Sequence, residues 1–337
     1  MSGRDVVTLL LPASPAAIER AATLIRAGRL VAFPTETVYG LGARADDPAA
    51  VRAIFVAKGR PPGNPLIAHV ADAATARALS ADWTEAAERL AAAFWPGPLT
   101  LVVRKREGPG GIVAEATASG PTAALRVPEH PVALALLRAT GLPIAAPSAN
   151  RSTAISPTTA DHVIKSLGGR VELVLDGGPT GYGIESTIVD VSRTPAVLLR
   201  HGAIPLAAIL ALLPLAAIVD QGDLVVPEGE RAAAPGSHAR HYAPRARVAL
   251  VPAPAVRAEV EALRARGRIT GALERAPASV TEGPSEVLPD DPARYAAGLY
   301  AALHRLEDAA CDEIVIAAVP EGGAWAAVRD RLRRASA

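Results

Sequence analysis

Phe33-Pro34-Thr35-Glu36-Thr37-Val38-Tyr39-Gly40-Leu41-Gly42, followed by Lys58-Gly59-Arg60-Pro61-Pro62-Gly63-Asn64-Pro65-Leu66, decides how this chain is read. The first stretch leaves an apolar strand, Leu30 to Phe33, and reads as a polar loop bounded by glycine. The second sets two cations and an amide on a stiff Pro/Gly turn at the end of a helix. Arg60 stands between Gly59 and Pro61, so its fork is presented by a backbone with few alternatives, which lowers the entropy cost of gripping phosphate. Hydroxyls and a carboxylate beside paired cations suit a phosphorylated, polar ligand. Core packing asks for none of them.

Outward from these stretches, helix and strand alternate. Ser14-Pro15 opens a helix that Gly28 stops, and a strand follows at Arg29 to Phe33. Asp47-Pro48 opens a second helix with Val51, Ile54 and Phe55 on one face, ended by Gly59. Further strands are expected at Leu66 to Val70, Leu99 to Arg104, Ala123 to Val127, Ile144 to Ala146, Val171 to Leu175, Ser186 to Val191 and Ala196 to Leu199. Helices are expected at Ala73 to Leu79, Glu85 to Phe94, Pro131 to Thr140 and Thr159 to Leu167. This is the pattern of an α/β fold, a mixed sheet covered by helices.

From Pro214 to Pro244 the alternation lapses into a Pro/Gly-punctuated stretch, too long for an ordinary connection. It then resumes with strands at Arg247 to Val251, Arg268 to Ala272 and Glu313 to Ala317. Helices at Ala255 to Arg266, Pro292 to Ala310 and Gly323 to Arg334 go with them, a small Rossmann-like α/β domain without the glycine fingerprint of dinucleotide binding. The expected division is therefore 1–206, a linker at 207–244, and 245–337.

With 337 residues, 50% of them hydrophobic and 3% aromatic, the core must be built from aliphatic side chains. A formal net charge of +1 argues against coating nucleic acid with the whole surface, though a local basic site remains open. Cys311 is alone, which leaves no disulfide framework and no cysteine metal cluster. The longest apolar run, Ile204 to Val219, is interrupted by Pro205 and Pro214 and is too short to span a bilayer. The chain shows no signal-peptide pattern, and the expectation is a soluble, cytoplasmic protein with no membrane partner.

The usual nucleotide and hydrolase motifs, P-loop and nucleophile elbow included, are missing, so candidates come from scattered loops. Lys58, in the last turn of its helix, either complements the helix dipole or serves chemistry. His69, within a strand, is either a packed residue or a catalyst. Ser148 and Asn150 leave a strand end, where α/β sheets bind ligands. Ser156 reads either as part of the next helix cap or as a ligand contact. Gly177 to Thr187 is a glycine-dense loop whose backbone could approach a ligand closely. Arg126 and Arg200 lie in otherwise apolar strands and call for anionic partners, a substrate carboxylate and a phosphate respectively. Pro235 to Pro244, with His238, Arg240, His241 and Tyr242 between Pro/Gly brakes, reads as a lid.

Taken in order, Pro34 to Gly42, Lys58 to Leu66, Pro147-Ser148-Ala149-Asn150, Glu185-Ser186-Thr187 and Pro235 to Pro244 resemble the threonylcarbamoyl-AMP synthases. The likeness is to the long, two-domain form of the YrdC-like family and covers essentially the whole chain. It implies a YrdC-like twisted sheet and an enzyme that joins L-threonine, bicarbonate and ATP, releasing pyrophosphate, with Mg2+ accompanying the nucleotide. Downstream proteins would transfer the threonylcarbamoyl group to tRNA. By the same resemblance, Thr37, His69, Arg126, Ala146 and Ser186 hold threonine. Arg60, Asn64, Thr122, Ser148, Ser156 and Arg200 hold ATP, Tyr242 closes from the linker, and Lys58 lies near the reacting oxygens. Two rivals are a carbamoyltransferase of hydrogenase maturation, which carries zinc-finger segments that one cysteine cannot build, and a non-catalytic RNA-binding module.

Overall fold

The computed structural model describes residues 6–214, 217–222, 224, 241–280 and 282–337. Its first sheet takes β1 (Leu9–Pro12), β2 (Val31–Pro34), β3 (Tyr39–Arg44), β4 (Ile67–His69), β5 (Ser80–Asp82) and β6 (Leu99–Lys105). It continues with β7 (Thr122–Arg126), β8 (Ile144–Ala145), β9 (Leu173–Asp176), β10 (Thr187–Asp190), β11 (Ala196–Arg200) and β12 (Ile218–Asp220). Across the sheet the order is β1-β9-β2-β3-β8-β4-β7-β6-β10-β11-β12, with β5 paired to β6. Parallel and antiparallel pairs mix, as expected. Around it lie α1 (Pro15–Arg26), α2 (Pro48–Lys58), α3 (Ala73–Ala78), α4 (Glu85–Phe94), α5 (Pro131–Thr140), α6 (Ala160–Leu167) and α7 (Leu206–Leu210).

Helix boundaries follow the sequence signals because the caps form as drawn. Asp47 accepts hydrogen bonds from the Ala49 and Ala50 amides, Pro48 opens α2, and Gly59 closes it at φ +62°. That left-handed glycine turns the chain so that Lys58 and Arg60 leave the helix end in fixed directions.

The strand readings need correction in one telling place. Gly40 and Gly42 lie inside β3, which pairs antiparallel with β2 from Val31↔Gly42 to Pro34↔Tyr39. Only Thr35 to Val38 form the turn. A Cβ on Gly42 would meet Phe33 at 2.7 Å and Ile144 at 2.9 Å. These glycines make room for neighbours in the sheet and do not bound a loop. The sheet also extends past residue 206: β12 pairs parallel with β11, inside the stretch read as linker.

The second sheet holds β13 (Arg247–Val251), β14 (Thr270–Arg275), β15 (Ser285–Leu288) and β16 (Glu313–Ala317) in the order β13-β16-β14-β15, all pairs parallel. With α8 (Val256–Ala265), α9 (Pro292–Asp308) and α10 (Ala326–Ala335) it makes the expected small α/β layer. Its core is continuous with the first domain. Val38, Ile155 and Ile184 pack into one cluster with Tyr242, Leu299, Tyr300 and Leu303. Each such side chain contributes on the order of 1.5–3 kcal/mol on burial. Pro235 to Arg240, in the segment read as a lid, lie outside the described residues. No helix among those described is long and apolar enough to cross a membrane.

At the edge of this contact, His162 of α6 stacks on His304 of α9, ring centres 3.7 Å apart. His304 Nε2–H donates to the Ser156 carbonyl at 3.2 Å, and Lys165 pairs with Asp308 at 2.6 Å. Burial, and for His162 also the neighbouring His304, pushes both imidazoles down to about 4. Both are neutral when folded at pH 7. Their contribution is complete above the unfolded value of about 6.5 and is lost as pH falls from there toward 4. The melting temperature should therefore drop by about 5 °C or more between pH 7 and pH 5. A His162→Gln, His304→Gln variant should show a distinctly smaller drop; an equal drop in the two proteins would contradict this reading.

Candidate functional site

The Thr35 to Val38 turn is stitched from within. Thr35 Oγ1 donates to the Val38 carbonyl at 2.6 Å and accepts from the Thr37 and Val38 amides at 3.2 Å. Thr37 Oγ1 lies 2.8 Å from Thr35 Oγ1, so the two hydroxyls form one rigid unit. This turn forms part of the wall of a cavity of about 50 Å³. Thr35, Thr37, Val38, Gly40, Arg60, Ile67, His69, Arg126, Ala146, Pro147, Ser148, Glu185, Ser186, Arg200, His241 and Tyr242 line it. A wider groove of about 740 Å³ lies on the other side of Arg60, lined also by Arg52, Phe55, Val56, Pro62, Gly63 and Glu115.

Residues far apart in sequence thus meet on one wall. Thr37, Arg60, His69, Arg126, Ala146, Ser148, Ser186, Arg200 and Tyr242, each singled out from the sequence, line the cavity. Lys58, Asn64, Thr122 and Ser156 do not, and each has a visible reason. Lys58 is buried, with Nζ donating to the carbonyls of Ser148 at 2.6 Å and Asn150 at 2.5 Å, so it braces the Ser148 to Asn150 loop. Asn64 accepts from Arg60 through its carbonyl, while its buried Oδ1 has no partner. Thr122 opens β7 opposite Arg104, at the sheet end away from Arg126. Ser156 donates to Glu185 Oε1 at 2.6 Å; Thr159, not Ser156, caps the next helix.

Arg60 is buried, against the expectation of a turn with no packing role. Its guanidinium donates to the Pro65 carbonyl at 3.1 Å and, more weakly, to that of Asn64. These are dipoles, not charges. Burial, reinforced by Arg200, brings Arg60 down to about 10. Arg126 has an internal carboxylate, Glu36, at 2.6 Å, which the sequence reading did not foresee. Arg200 donates to the Ser186 carbonyl at 2.9 and 3.0 Å and to its hydroxyl at 3.1 Å. The Ser186 hydroxyl also meets Thr100 at 2.8 Å. Burial and then Arg126 push His69 down to about 3, so its imidazole is neutral, with Nδ1 unpartnered. His241 is neutral for the same reason, burial first and then the surrounding cations.

Within the glycine-dense loop, packing accounts for one glycine. At Gly183, φ +66°, a Cβ would lie 2.3 Å from the Ala297 carbonyl of α9. Here the close approach is to the second domain. That domain also supplies groups that sequence reasoning missed. Glu185 accepts from Tyr300 at 2.9 Å and from Arg331 at 2.9 Å, both in addition to Ser156. Burial opposes its ionisation, yet Arg331, Arg200 and these donors hold its carboxyl below the usual range. Tyr242 stacks on Tyr300 with centroids 5.7 Å apart, and the Ala243 amide donates to the Thr153 carbonyl at 2.9 Å, so the end of the lid segment is pinned over the cavity. Arg331 had no sequence signal, because Arg329 to Arg334 reads as a solvated helix end.

The cavity is thus ringed by arginines and hydroxyls, with His241 and Tyr242 over it. Residues 23–202 match the Sua5, YciO and YrdC family described as "Telomere recombination", and residues 204–337 match the threonylcarbamoyl-AMP synthase C-terminal domain. Over 326 residues the chain is 44% identical to the threonylcarbamoyl-AMP synthase of Pyrococcus abyssi, covering 95% of this chain and 94% of that protein. The Bacillus subtilis threonylcarbamoyl-AMP synthase is 40% identical over 332 residues, 95% of this chain and 92% of that one. The structure of Pyrococcus abyssi Sua5 complexed with L-threonine matches with a TM-score of 0.89 at 40% identity, over 98% of this chain and 97% of that chain. These matches define an enzyme of the nucleotidyltransferase type. The chain belongs to the Sua5/YrdC family, in its two-domain form.

Lys58→Met tests the bracing role directly. It leaves the Ser148 and Asn150 carbonyls buried without their donor and should cost about 2–3 kcal/mol in urea unfolding. A loss under about 0.5 kcal/mol would show that the lysine does not hold the loop.

Proposed function

We propose that this cavity joins L-threonine, bicarbonate and ATP into L-threonylcarbamoyl-AMP and pyrophosphate, for transfer by other proteins to a tRNA adenosine. One observation carries the reading: Arg60, Arg126 and Arg200 converge with the hydroxyls of Thr35, Thr37, Ser148 and Ser186 on one buried space. It is supported by the names of the relatives and by the threonine bound to one of them.

In this reading the threonine carboxylate takes Arg126, whose charge Glu36 has already oriented. Thr37, His69, Ala146 and Ser186 complete its pocket. Neutral His69 offers hydrogen bonding to the threonine hydroxyl without adding charge. Arg60, Ser148 and Arg200 take the triphosphate. Asn64, with an orphaned buried acceptor, suits a donor on the nucleotide, and Ser156 acts through Glu185. Thr122 and Lys58 contribute at a distance, Lys58 through the loop it braces.

The neutral threonine amine attacks the carbon of bicarbonate. A carbon–oxygen bond breaks, the amine proton leaves with that oxygen as water, and a carbamate remains. The carbamate oxygen then attacks the α-phosphorus, the bond to the β-phosphate oxygen breaks, and pyrophosphate departs. No covalent enzyme intermediate is needed. The difficulty is that two anions must meet, and each preorganised cation is worth about 3 kcal/mol to such a step. Alignment of carbamate and phosphorus contributes as much or more. Glu36 and Glu185 are engaged by Arg126 and by Ser156, Tyr300 and Arg331, and no acidic or histidine cluster for an ion exists among the described residues. Such a donor set fits a Mg2+ ion carried in on phosphate oxygens, where it would supply further charge neutralisation.

In this reading His241 and Tyr242, which line the cavity, swing aside for entry and return to exclude water from the unstable carbamate. Pyrophosphate release should require threonine, bicarbonate and ATP together, and Arg60→Ala should cut it at least tenfold. Release without threonine, or salt-sensitive RNA binding with no turnover, would overturn the reading. Undiminished turnover in Arg60→Ala would remove Arg60 from it.

A further inference from the structure

Arg331 stands where three arms of the site meet, and it comes from the second domain. Its side chain, on α10, is fully buried. Nε donates to Glu185 Oε2 at 2.9 Å, and Nη2 donates to the His201 carbonyl at 3.1 Å. Nη1 donates to Asp330 Oδ2 at 2.6 Å, while Arg334 holds the other oxygen of Asp330 at 2.8 Å and so fixes the fork. The face of the guanidinium lies 5.0 Å from the centre of the Tyr242 ring.

Three of these contacts lie on, or one residue from, a group already placed at the substrates. Glu185 precedes Ser186, His201 follows Arg200, and Tyr242 is itself the closing residue. A single planar cation therefore spans the threonine side, the phosphate side and the lid. A lysine could not replace it, because one compact ammonium cannot serve a carboxylate, a carbonyl and an aromatic face together. A plain clamp between domains would not need to touch these three places.

Resting on the functional reading above, we propose that Arg331 is a positioning residue for the reaction. The second domain supplies a guanidinium that sets the Ser186 hydroxyl, the Arg200 fork and the Tyr242 ring relative to one another. It touches no reactant. Threonine and ATP each keep several other contacts when it is lost, whereas the alignment of carbamate against phosphorus depends on all three groups at once. Its removal acts on kcat more than on either KM.

The test uses the full chain and steady-state pyrophosphate release, with KM measured separately for threonine and ATP. Arg331→Met should lower kcat at least tenfold with both KM values within about threefold. Arg331→Lys should recover little of the loss. Lys165→Ala, which cuts the exposed α6–α9 bridge away from the cavity wall, should leave turnover unchanged. Arg331→Met with kcat within twofold of the parent overturns the proposal, as does full activity in Arg331→Lys or an equal loss in Lys165→Ala. Should Arg331→Met fail to fold, Tyr300→Phe removes one donor to Glu185 at little change in volume. A kcat reduced about threefold at constant KM supports the proposal there, and an unchanged kcat overturns it. A parent chain that releases no pyrophosphate with all three substrates overturns the functional reading, and the proposal with it. That outcome is distinct from an active parent matched by active variants.

Discussion

Cations held out of water are the constraint on which this structure turns. Lys58, Arg60, Arg126, Arg200 and Arg331 are all buried, within one region. The buried carboxylates that meet them are Glu36, Glu185 and Asp330. Burial therefore works against these cations: it lowers Lys58 and Arg200, brings Arg60 down to about 10, and keeps His69 and His241 neutral. Buried charge of this kind is costly alone and favourable beside an anion, because attraction is stronger where water is excluded. The fold carries that cost through carbonyl dipoles, with Lys58 on the Ser148 to Asn150 loop and Arg60 on its own turn.

The same constraint accounts for the second domain. A loop that ends in Glu185 and Ser186, between several arginines, would be pulled out of register if left to solvent. Gly183 lets α9 approach its backbone, Ile184 enters the shared apolar cluster, and Tyr300 with Arg331 fixes the carboxylate. Helices α9 and α10 of the second domain thus hold the loop that carries Ser186 into the cavity wall.

What could be read in the sequence was whatever short-range physics decides. Helices announced themselves through Ser14, Asp47 and Gly59, whose caps the structure repeats. The residues on the cavity wall came mostly from strand ends and turns, where loop chemistry betrays them. Glycine misled twice. Gly40 and Gly42 looked like loop brakes and turned out to relieve crowding against Phe33, Ile144 and Ala146; Gly183 looked like a ligand approach and turned out to seat a helix. Lys58 sits in the last turn of its helix as expected, yet its partners Ser148 and Asn150 lie 90 and 92 positions away along the chain, and no local pattern encodes them. Arg331 escaped for the same reason: a charged helix end reads as solvated until a neighbour covers it.

A crystal structure of the full chain with L-threonine and a non-hydrolysable ATP analogue tests the central claim most directly. The account predicts the threonine carboxylate on Arg126 and the triphosphate between Arg60 and Arg200, with Glu185 still held by Arg331. Ligands bound only in the second domain, or a nucleotide whose phosphates avoid both arginines, would contradict it.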